Sequence, residues 1–437
     1  MNTPIFDFVQ KYQKTIRFHM PGHKGQNFLG MESLDITEVK GADSLYEADD
    51  IIAHSEANAT KLFGSFHTYY SCEGSSQCIK AMLYLVTQMK PGKVILAARN
   101  VHKAFVYGAA LCDMKVEWLF SKSSSLCSCP IDAIQLEQEL IKRNGKIGAF
   151  YITSPDYLGN IANIKELANV CHKHDCLLVV DNAHGAYLNF LEENLHPIHL
   201  GADLCCDSAH KTLPVLTGGA YLHLGNRMKE MEPYVKHALC LFGSTSPSYL
   251  ILQSLDLCNA YLEDAFPKDL ATIIQVISRI KSILVQNGWK ILPSDPLRIS
   301  IQATQKQSGF DLANLLRTHN MECEYADANT LVLMLTPQNK VEDLYRLVEV
   351  LGMNRNKAKE EKILPLGQWE QVCSIREAIF SKNEILDIHD SLGRICASPV
   401  VSCPPAIPVV VSGERIHQEA IHIMEHYGID TVCVIQE

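Results

Sequence analysis

Three side chains with reactive groups each follow a short apolar run in this chain. Lys211 follows "ADLCCDSA", Asp181 follows "CLLVV", and His102 follows "KVILAA" and three further residues. The length and β-branched content of these runs predict buried strands. Because ligands bind outside the carboxyl ends of strands in an open parallel sheet, we expect the three residues to meet at one edge. A lysine there can form a Schiff base with a carbonyl group, although a lone lysine is more often a surface charge.

A fourth element supplies a site for an anion. Gly74, Ser75 and Ser76 open the amphipathic segment "GSSQCIKAMLYLVTQM", and the amides at a helix N-terminus attract phosphate. Alone, this pattern is more often a plain helix cap. Together with a lysine and an aspartate that can keep a ring nitrogen protonated, it predicts pyridoxal 5'-phosphate as the cofactor.

Composition limits the class of protein. The chain has 437 residues, 39 basic and 49 acidic, with a net charge of -10, which argues against a nucleic-acid partner. No apolar run is long enough to predict a membrane span. The 16 cysteines are scattered and form no C-x-x-C pair, so they predict buried thiols in a cytoplasmic protein and no zinc or redox motif.

Strand and helix patterns alternate from about residue 93 to 224, which indicates an α/β protein with a mostly parallel sheet. A long helical stretch over 247–287 leads to a second strand–helix–strand pattern and then to the charged segment "RNKAKEEK" at 355–362. We therefore predict an N-terminal segment at 1–60, a cofactor-binding major domain at 61–270, a small α/β domain at 271–354 and a terminal lobe at 363–437.

Several motifs extend along nearly the whole chain: "RFHMPGHKG", "RNVHKA", "DNAHGAYLNF", "DSAHKTLPVLTGGAYLH", "STSPSYLILQSLD" and "PPAIPVVVSGE". In these motifs the sequence resembles the short members of the bacterial ornithine/lysine/arginine decarboxylases. The resemblance implies fold type I of the pyridoxal-phosphate-dependent transferases, with a seven-stranded sheet, and a homodimer or higher oligomer with shared active sites. It also implies decarboxylation of arginine, lysine or ornithine.

The resemblance further assigns roles to individual residues. Lys211 would bind the cofactor covalently, Asp181 would pair with its ring nitrogen, His102 would stack on the ring and His184 would lie beside Asp181. The phosphate would be held by the cup Gly74, Ser75 and Ser76, by Ser208 and His210, and by Ser244 or Thr245 from the other subunit. The proton that replaces the carboxylate could come from His102, Lys211 or water.

The chain departs from the family pattern at four positions. Glu73 stands where the family has asparagine before the phosphate glycine, and Asn182 stands where it has glutamate. In the C-terminal motif Ala406 stands where the family has glycine, and Ser412 stands where it has proline. These departures bear on substrate choice and leave Lys211 and Asp181 untouched.

Glu414 and Asp43 are the two candidates for the acid that binds the distal cation of the substrate. At either position an acid that only contacts solvent is the commoner case. Two other functions also stay open: an aminotransferase, which needs an arginine clamp that the sequence does not place, and an inactive cofactor-binding relative. His422 and His426 share a helical spacing, but without a third ligand they do not predict a metal site.

Overall fold

The computed structural model describes residues 1–121, 125–359, 364–402 and 405–436. Its helices are α1 Pro4–Tyr12, α2 Ile51–Phe63, α3 Gly74–Met89, α4 Lys103–Leu111, α5 Ala133–Arg143, α6 Ile164–Lys173, α7 Ala209–Thr212, α8 Glu232–Leu241, α9 Tyr249–Glu263, α10 Phe266–Gln286, α11 Gly309–Thr318, α12 Val341–Leu351, α13 Ile375–Phe380 and α14 Gln418–His426. Its strands are β1 His67–Ser71, β2 Val94–Ala98, β3 Val116–Leu119, β4 Ile147–Thr153, β5 Leu177–Asp181, β6 Leu204–Asp207, β7 Ala220–Leu224, β8 Ile291–Leu292, β9 Arg298–Gln302, β10 Tyr325–Ala326, β11 Thr330–Met334, β12 Asn383–Asp387, β13 Val400–Val401, β14 Pro408–Val410 and β15 Thr431–Ile435.

The main sheet has seven strands in the order β1-β7-β6-β5-β4-β2-β3. β5 pairs in parallel with β6, and β2 pairs in parallel with β3, whereas β7 is antiparallel to both β6 and β1. Every residue of β5, β6 and β7 is buried, as expected for the central strands of an α/β sheet. The predicted fold class, α/β with a mostly parallel seven-stranded sheet, is confirmed.

The first of two compact units comprises residues 1–93, 136–152 and 163–268. Within it α3 packs against β6 and β7, and α6 packs against β5. Apolar residues of α3, among them Cys78, Met82 and Leu85, are fully buried, so this helix is anchored by its core-facing side. The predicted helical stretch at 247–287 consists of two helices, α9 and α10.

The second unit comprises residues 94–135, 153–162 and 269–437. It contains an antiparallel sheet of order β10-β11-β9-β8, and the predicted strand–helix–strand pattern is confirmed as β9, α11 and β11. A separate apolar cluster, which includes Val409, Val410, Ile421, Met424 and Val434, forms the core of the C-terminal part.

The four predicted domain boundaries stay predictions. The last three residues of the expected linker at 355–362, and the first and last residues of the lobe predicted at 363–437, lie outside the described residues. Among the helices that the structure describes, none is both long and apolar enough to cross a lipid bilayer.

Candidate active site

Lys211 lies in the single helical turn α7, which directly follows the buried strand β6. Its Nζ atom is 2.9 Å from Nε2 of His184, and that imidazole is only 5 % exposed. Two residues separate His184 from the end of β5, so two neighbouring strands deliver the amine and the imidazole to one edge of the sheet. The imidazole therefore orients the amine and can exchange a proton with it.

Asp181, the last residue of β5, supplies a buried carboxyl group in the same unit and is 2 % exposed. Its Oδ1 accepts the amide of Ala183 at 3.1 Å and the thiol of Cys206 at 3.8 Å. Burial raises the pKa of Asp181, while the positive charge of Lys211 and the Ala183 amide act in the opposite direction. The positive charge of Lys211 thus acts on Asp181, and the role of Asp181 as the partner of a ring nitrogen stays a prediction.

The start of α3 has the features of an anion site. Gly74 has φ +69, a left-handed conformation that favours glycine, and its amide donates to the carbonyl of Gly218 at 2.7 Å. No side chain caps this helix, and Ser75 and Ser76 lie in its first turn. The hydroxyl of Ser208 donates to that of Ser75 at 2.7 Å, which joins the cup to the segment that bears Lys211. An uncapped helix start, a buried carboxyl group and an amine fit the phosphate, ring nitrogen and aldehyde of pyridoxal phosphate.

Glu73 and Ser244 form hydrogen bonds of their own next to the start of α3. The carboxylate of Glu73, one residue before α3, accepts the amide of Ser244 in the same chain. The hydroxyl of Ser244 in turn accepts the amide of Ser246 at 3.1 Å. The roles of Ser244 and Thr245 as phosphate ligands from another subunit stay predictions.

His210 is hydrogen-bonded to the backbone of its own chain. Its amide and its Nδ1 lie 3.2 Å and 3.0 Å from the same acceptor, the carbonyl oxygen of Gly219. Burial lowers the pKa of His210, which favours the neutral ring. With Nδ1 donating to Gly219, a neutral ring has only a lone pair at Nε2. This arrangement weighs against a phosphate bond donated by the His210 side chain.

His102 belongs to the second unit, where it caps the N-terminus of α4. Its Nδ1 accepts the amide of Ala104 at 3.1 Å. Because an amide can only donate, Nδ1 is unprotonated and a neutral ring carries its proton on Nε2. The predicted stacking of His102 on the cofactor ring stays a prediction.

Glu414, also in the second unit, is 1 % exposed and forms an ion pair with the fully buried Arg99. Its Oε2 is 3.2 Å from the guanidinium and accepts the amide of Val411 at 2.7 Å. Burial raises the pKa of Glu414, and the charge of Arg99 opposes this increase. A carboxylate held by an internal arginine is poorly suited to bind the cation of a substrate.

Asp43 is likewise held by hydrogen bonds within the chain. Its carboxylate accepts the amides of Ser44, Asp50 and Ile52 at 2.8 to 3.0 Å, and so caps the loop that enters α2. Backbone amides occupy both of its oxygens. Neither acid that the sequence offered for the distal cation is therefore free of internal bonds.

The sequence analysis did not single out a buried cluster of His196, Asp207 and His223, whose ligand atoms lie within 4.8 Å of one another. Asp207 is the last residue of β6, as Asp181 is of β5, so its position at the carboxyl end of a strand could have marked it as a candidate site residue. Asp207 and His223 begin and end the motif "DSAHKTLPVLTGGAYLH", but no spacing rule joins them to each other or to His196, so the cluster as a whole has no signal in the sequence.

Two departures in the C-terminal motif differ in backbone conformation. Ala406 has φ +59, so an alanine occupies the left-handed conformation that glycine adopts more readily. Ser412 is not among the described residues with positive φ, and its fully buried hydroxyl has no hydrogen-bond partner within that part of the chain. Position 406 therefore has a conformation that suits the glycine of the family pattern, whereas at position 412 the family pattern has proline.

Comparison with known proteins gives a consistent result. The pattern of the Orn/Lys/Arg decarboxylase major domain matches residues 3–308, and that of the Orn/Lys/Arg decarboxylase C-terminal domain matches residues 364–428. The chain is 27% identical to the uncharacterized protein YaaO of Bacillus subtilis, covering 96% of this chain and 93% of that protein. It is 26% identical to an arginine decarboxylase of the same organism, covering 96% and 92%. The crystal structure of the Francisella novicida lysine decarboxylase LdcF superposes with a TM-score of 0.81 at 17% identity, over 99% of this chain and 81% of the other.

Proposed function

The chain belongs to the Orn/Lys/Arg decarboxylase family and is an amino-acid decarboxylase, and we propose that it removes CO2 from arginine with pyridoxal 5'-phosphate. Family membership gives a basic amino acid as the substrate. Arginine is favoured over lysine and ornithine because it is the substrate in the name of a curated relative that matches along nearly its whole length.

One observation carries the proposal: Lys211 and His184 meet at the end of two neighbouring strands, in the unit that also holds the buried Asp181. When bound, pyridoxal phosphate supplies an aldehyde that bonds to amines and a protonated ring that accepts the electrons of the breaking bond. Asp181 would keep the ring nitrogen protonated, because the attraction between a carboxylate and a nearby cation is stronger in a buried site than in water.

The remaining groups of the site bind and orient. The uncapped amides and hydroxyls of Ser75 and Ser76 would hold the phosphate, and Ser208 links that cup to the lysine. His184, at 2.9 Å from the Lys211 amine, would hold a proton at Nε2 or accept one from Nζ as the lysine is displaced by the substrate.

The decisive experiment identifies the amine. Purified protein supplied with pyridoxal phosphate is incubated separately with arginine, lysine and ornithine, and CO2, amine and keto acid are measured. We expect CO2 and the amine of arginine to form in equal amounts. Formation of keto acid without CO2 would indicate an aminotransferase, and cofactor binding without any turnover would indicate an inactive relative.

The lysine has a matched control. Lys211→Ala should abolish the visible absorbance of the bound cofactor and the release of CO2, because no other amine would be bonded to the aldehyde. Lys229→Ala, at an exposed lysine of the same unit, should change neither. Unchanged absorbance in Lys211→Ala would show that another residue binds the cofactor.

We further propose that the chain forms a homodimer or larger homo-oligomer. The N-terminal segment exposes Phe18, Phe28 and Leu29 by 95%, 90% and 81% in the single chain, and a second chain could cover them. Light scattering after size-exclusion chromatography should give at least twice the mass of 48.8 kDa. A monomer with full activity would refute the shared active site.

A cytoplasmic location is supported by the thiols. The cysteines among the described residues form no disulfide, and Cys205 and Cys206 are fully buried. Free thiols are typical of reducing compartments. Cell fractionation with an antibody to the protein tests this location.

A further inference from the structure

Asp207 is the centre of a fully buried polar cluster. Its Oδ2 lies 3.0 Å from Nε2 of His196 and 3.0 Å from Nε2 of His223, and its Oδ1 accepts the side-chain amide of Asn182 at 2.7 Å. All four side chains are 0% exposed. Asp207 stands four residues before Lys211, and Asn182 follows Asp181.

The proton positions in the cluster follow from its outer partners. The amide of Ile198 donates to Nδ1 of His196 at 3.4 Å, so a neutral His196 carries its proton on Nε2 and donates it to Asp207. His223 has the hydroxyl of Thr68 at 2.8 Å from Nδ1 and points Nε2 at the same carboxylate oxygen. With both Nε2 atoms donating, the cluster is a set of hydrogen bonds around one carboxylate, and those nitrogens have no lone pair for a metal ion.

Asp207 is ionised within this cluster. Burial alone would favour the neutral acid, but the two histidines outweigh it and keep the pKa of Asp207 well below its ordinary range. Phe63 packs against both imidazoles, with its ring centre 4.6 Å from that of His223 and 5.3 Å from that of His196. The carboxylate is therefore fixed in position as well as in charge.

The bond between Asn182 and Asp207 lies where the β5–β6 ladder ends. The ladder pairs Val180 with Cys205 and Asp181 with Cys206, and the amide of Asn182 donates to the carbonyl of Cys206 at 2.9 Å. Beyond these residues one segment leads to His184 and the other to Lys211. The side-chain bond of Asn182 and Asp207 thus joins the two segments just beyond the last residue pair of the ladder.

We propose that Asn182 and Asp207 are positioning residues, whose side-chain bond sets the placement of Asp181 relative to Lys211. This inference rests on the proposed decarboxylase function. Neither residue needs to touch the cofactor. Asn182 acts through Asp181, which precedes it, and Asp207 acts through the short segment that leads to Lys211. The orientation of the Asn182 amide is dictated by its partner, because a carboxylate can only accept and so faces the NH2 group.

The structure suggests an exchange of the two groups as the test. Asn182→Asp places a second carboxyl group against Asp207, and the repulsion between the two charges should raise the pKa of one of them and weaken the link between the strand ends. Asp207→Asn can keep the link, because Asn182 can turn its amide and present its oxygen, which has no partner within the described chain. The double variant Asn182→Asp/Asp207→Asn again pairs one carboxylate with one amide, but the carboxylate now follows β5 and the amide ends β6.

Each variant is measured for kcat and KM with the basic amino acid, for the dissociation constant of the cofactor from the apoprotein, and for urea unfolding of the apoprotein. Asn182→Asp should lower kcat by about 10- to 100-fold, because small misplacements of reacting groups have effects of this size. It should leave KM nearly unchanged and weaken cofactor binding. Asp207→Asn should lose less, and the double variant should recover most of the kcat lost by Asn182→Asp.

Ser55→Ala is the matched control, since it removes a buried side-chain hydrogen bond to Asp256 in the same unit. It should lower the free energy of unfolding without changing kcat. The inference is overturned if Asn182→Asp behaves like this control, or if the double variant unfolds as wild type but recovers no kcat. If wild type releases no CO2 from any basic amino acid, the proposed function fails, and the cofactor dissociation constants alone then decide the inference.

Discussion

The ion pair of Arg99 and Glu414 gives two different expectations for one substitution. If Glu414 bound the substrate, as its place in "SGERI" suggested, Glu414→Gln would raise KM for the basic amino acid and leave stability unchanged. In the structure Arg99 is 0% exposed and its guanidinium also donates to the carbonyls of Pro408 and Val409 at 2.8 and 3.1 Å. Glu414→Gln should therefore leave a buried cation without its counter-charge.

The expected cost follows from that environment. Removing one partner of a buried ion pair costs about 3 to 5 kcal/mol. Glutamine can still accept hydrogen bonds from Arg99 and from the amide of Val411, so we expect the lower end, about 3 kcal/mol. Urea unfolding measures the loss, and a double-mutant cycle with Arg99→Met should show that removing both charges costs less than the sum of the single changes.

Glu370→Gln is the control, because Glu370 pairs with Arg415 at 2.8 Å in an exposed ion pair of the same unit. Such pairs contribute about 0 to 1 kcal/mol, so this variant should unfold close to wild type. The reasoning is refuted if Glu414→Gln unfolds at the wild-type urea concentration while its KM rises several-fold at constant kcat. That result would make Glu414 a substrate ligand.

Three further substitutions test other environments. Asp43→Ala should cost about 1 to 2 kcal/mol in urea unfolding, because it removes the cap of α2, and should not change KM; a raised KM would return Asp43 to the substrate site. Ala406→Gly should stabilise the protein by about 1 kcal/mol through relief of the left-handed backbone, and an unchanged or lower unfolding midpoint would contradict this. Burial raises the pKa of Asp256 from 3.8 to about 6, so its contribution to stability is full below 3.8 and is lost as the pH rises through about 6. Asp256→Asn should flatten the unfolding free energy over that interval, and a pH profile identical to wild type would count against the raised pKa.

The main elements of the site could be predicted from local pattern. Short apolar runs marked β5 and β6, and the rule that ligands meet parallel strands at their carboxyl ends selected Asp181 and Lys211. The amphipathic segment that Gly74 opens likewise predicted α3. These signals are local because each depends on a residue's distance from the end of its own strand or helix.

The roles of the acids could not be predicted in the same way. Glu414 is neutralised by Arg99, which lies 315 residues away in the chain, and no spacing rule connects them. Asp43 bonds to backbone amides, which every residue except proline provides, so its partners carry no sequence signal. The role of an acid depends on the groups that contact it in the folded chain, whereas the position of a strand can be predicted from its own residues.

The departures from the family pattern therefore differ in physical weight. Ala406 keeps a backbone conformation that glycine would adopt at lower cost, so this departure concerns stability. Ser412 stands where the family has proline, and it adds a buried hydroxyl that has no hydrogen-bond partner among the described residues. Asn182 is different, because it faces an ionised Asp207, and an acidic side chain in its place would meet a like charge at hydrogen-bond distance. Of these three departures, the one at Asn182 is joined directly to the strand ends that hold Asp181 and Lys211, and there a change of charge should alter the reaction itself.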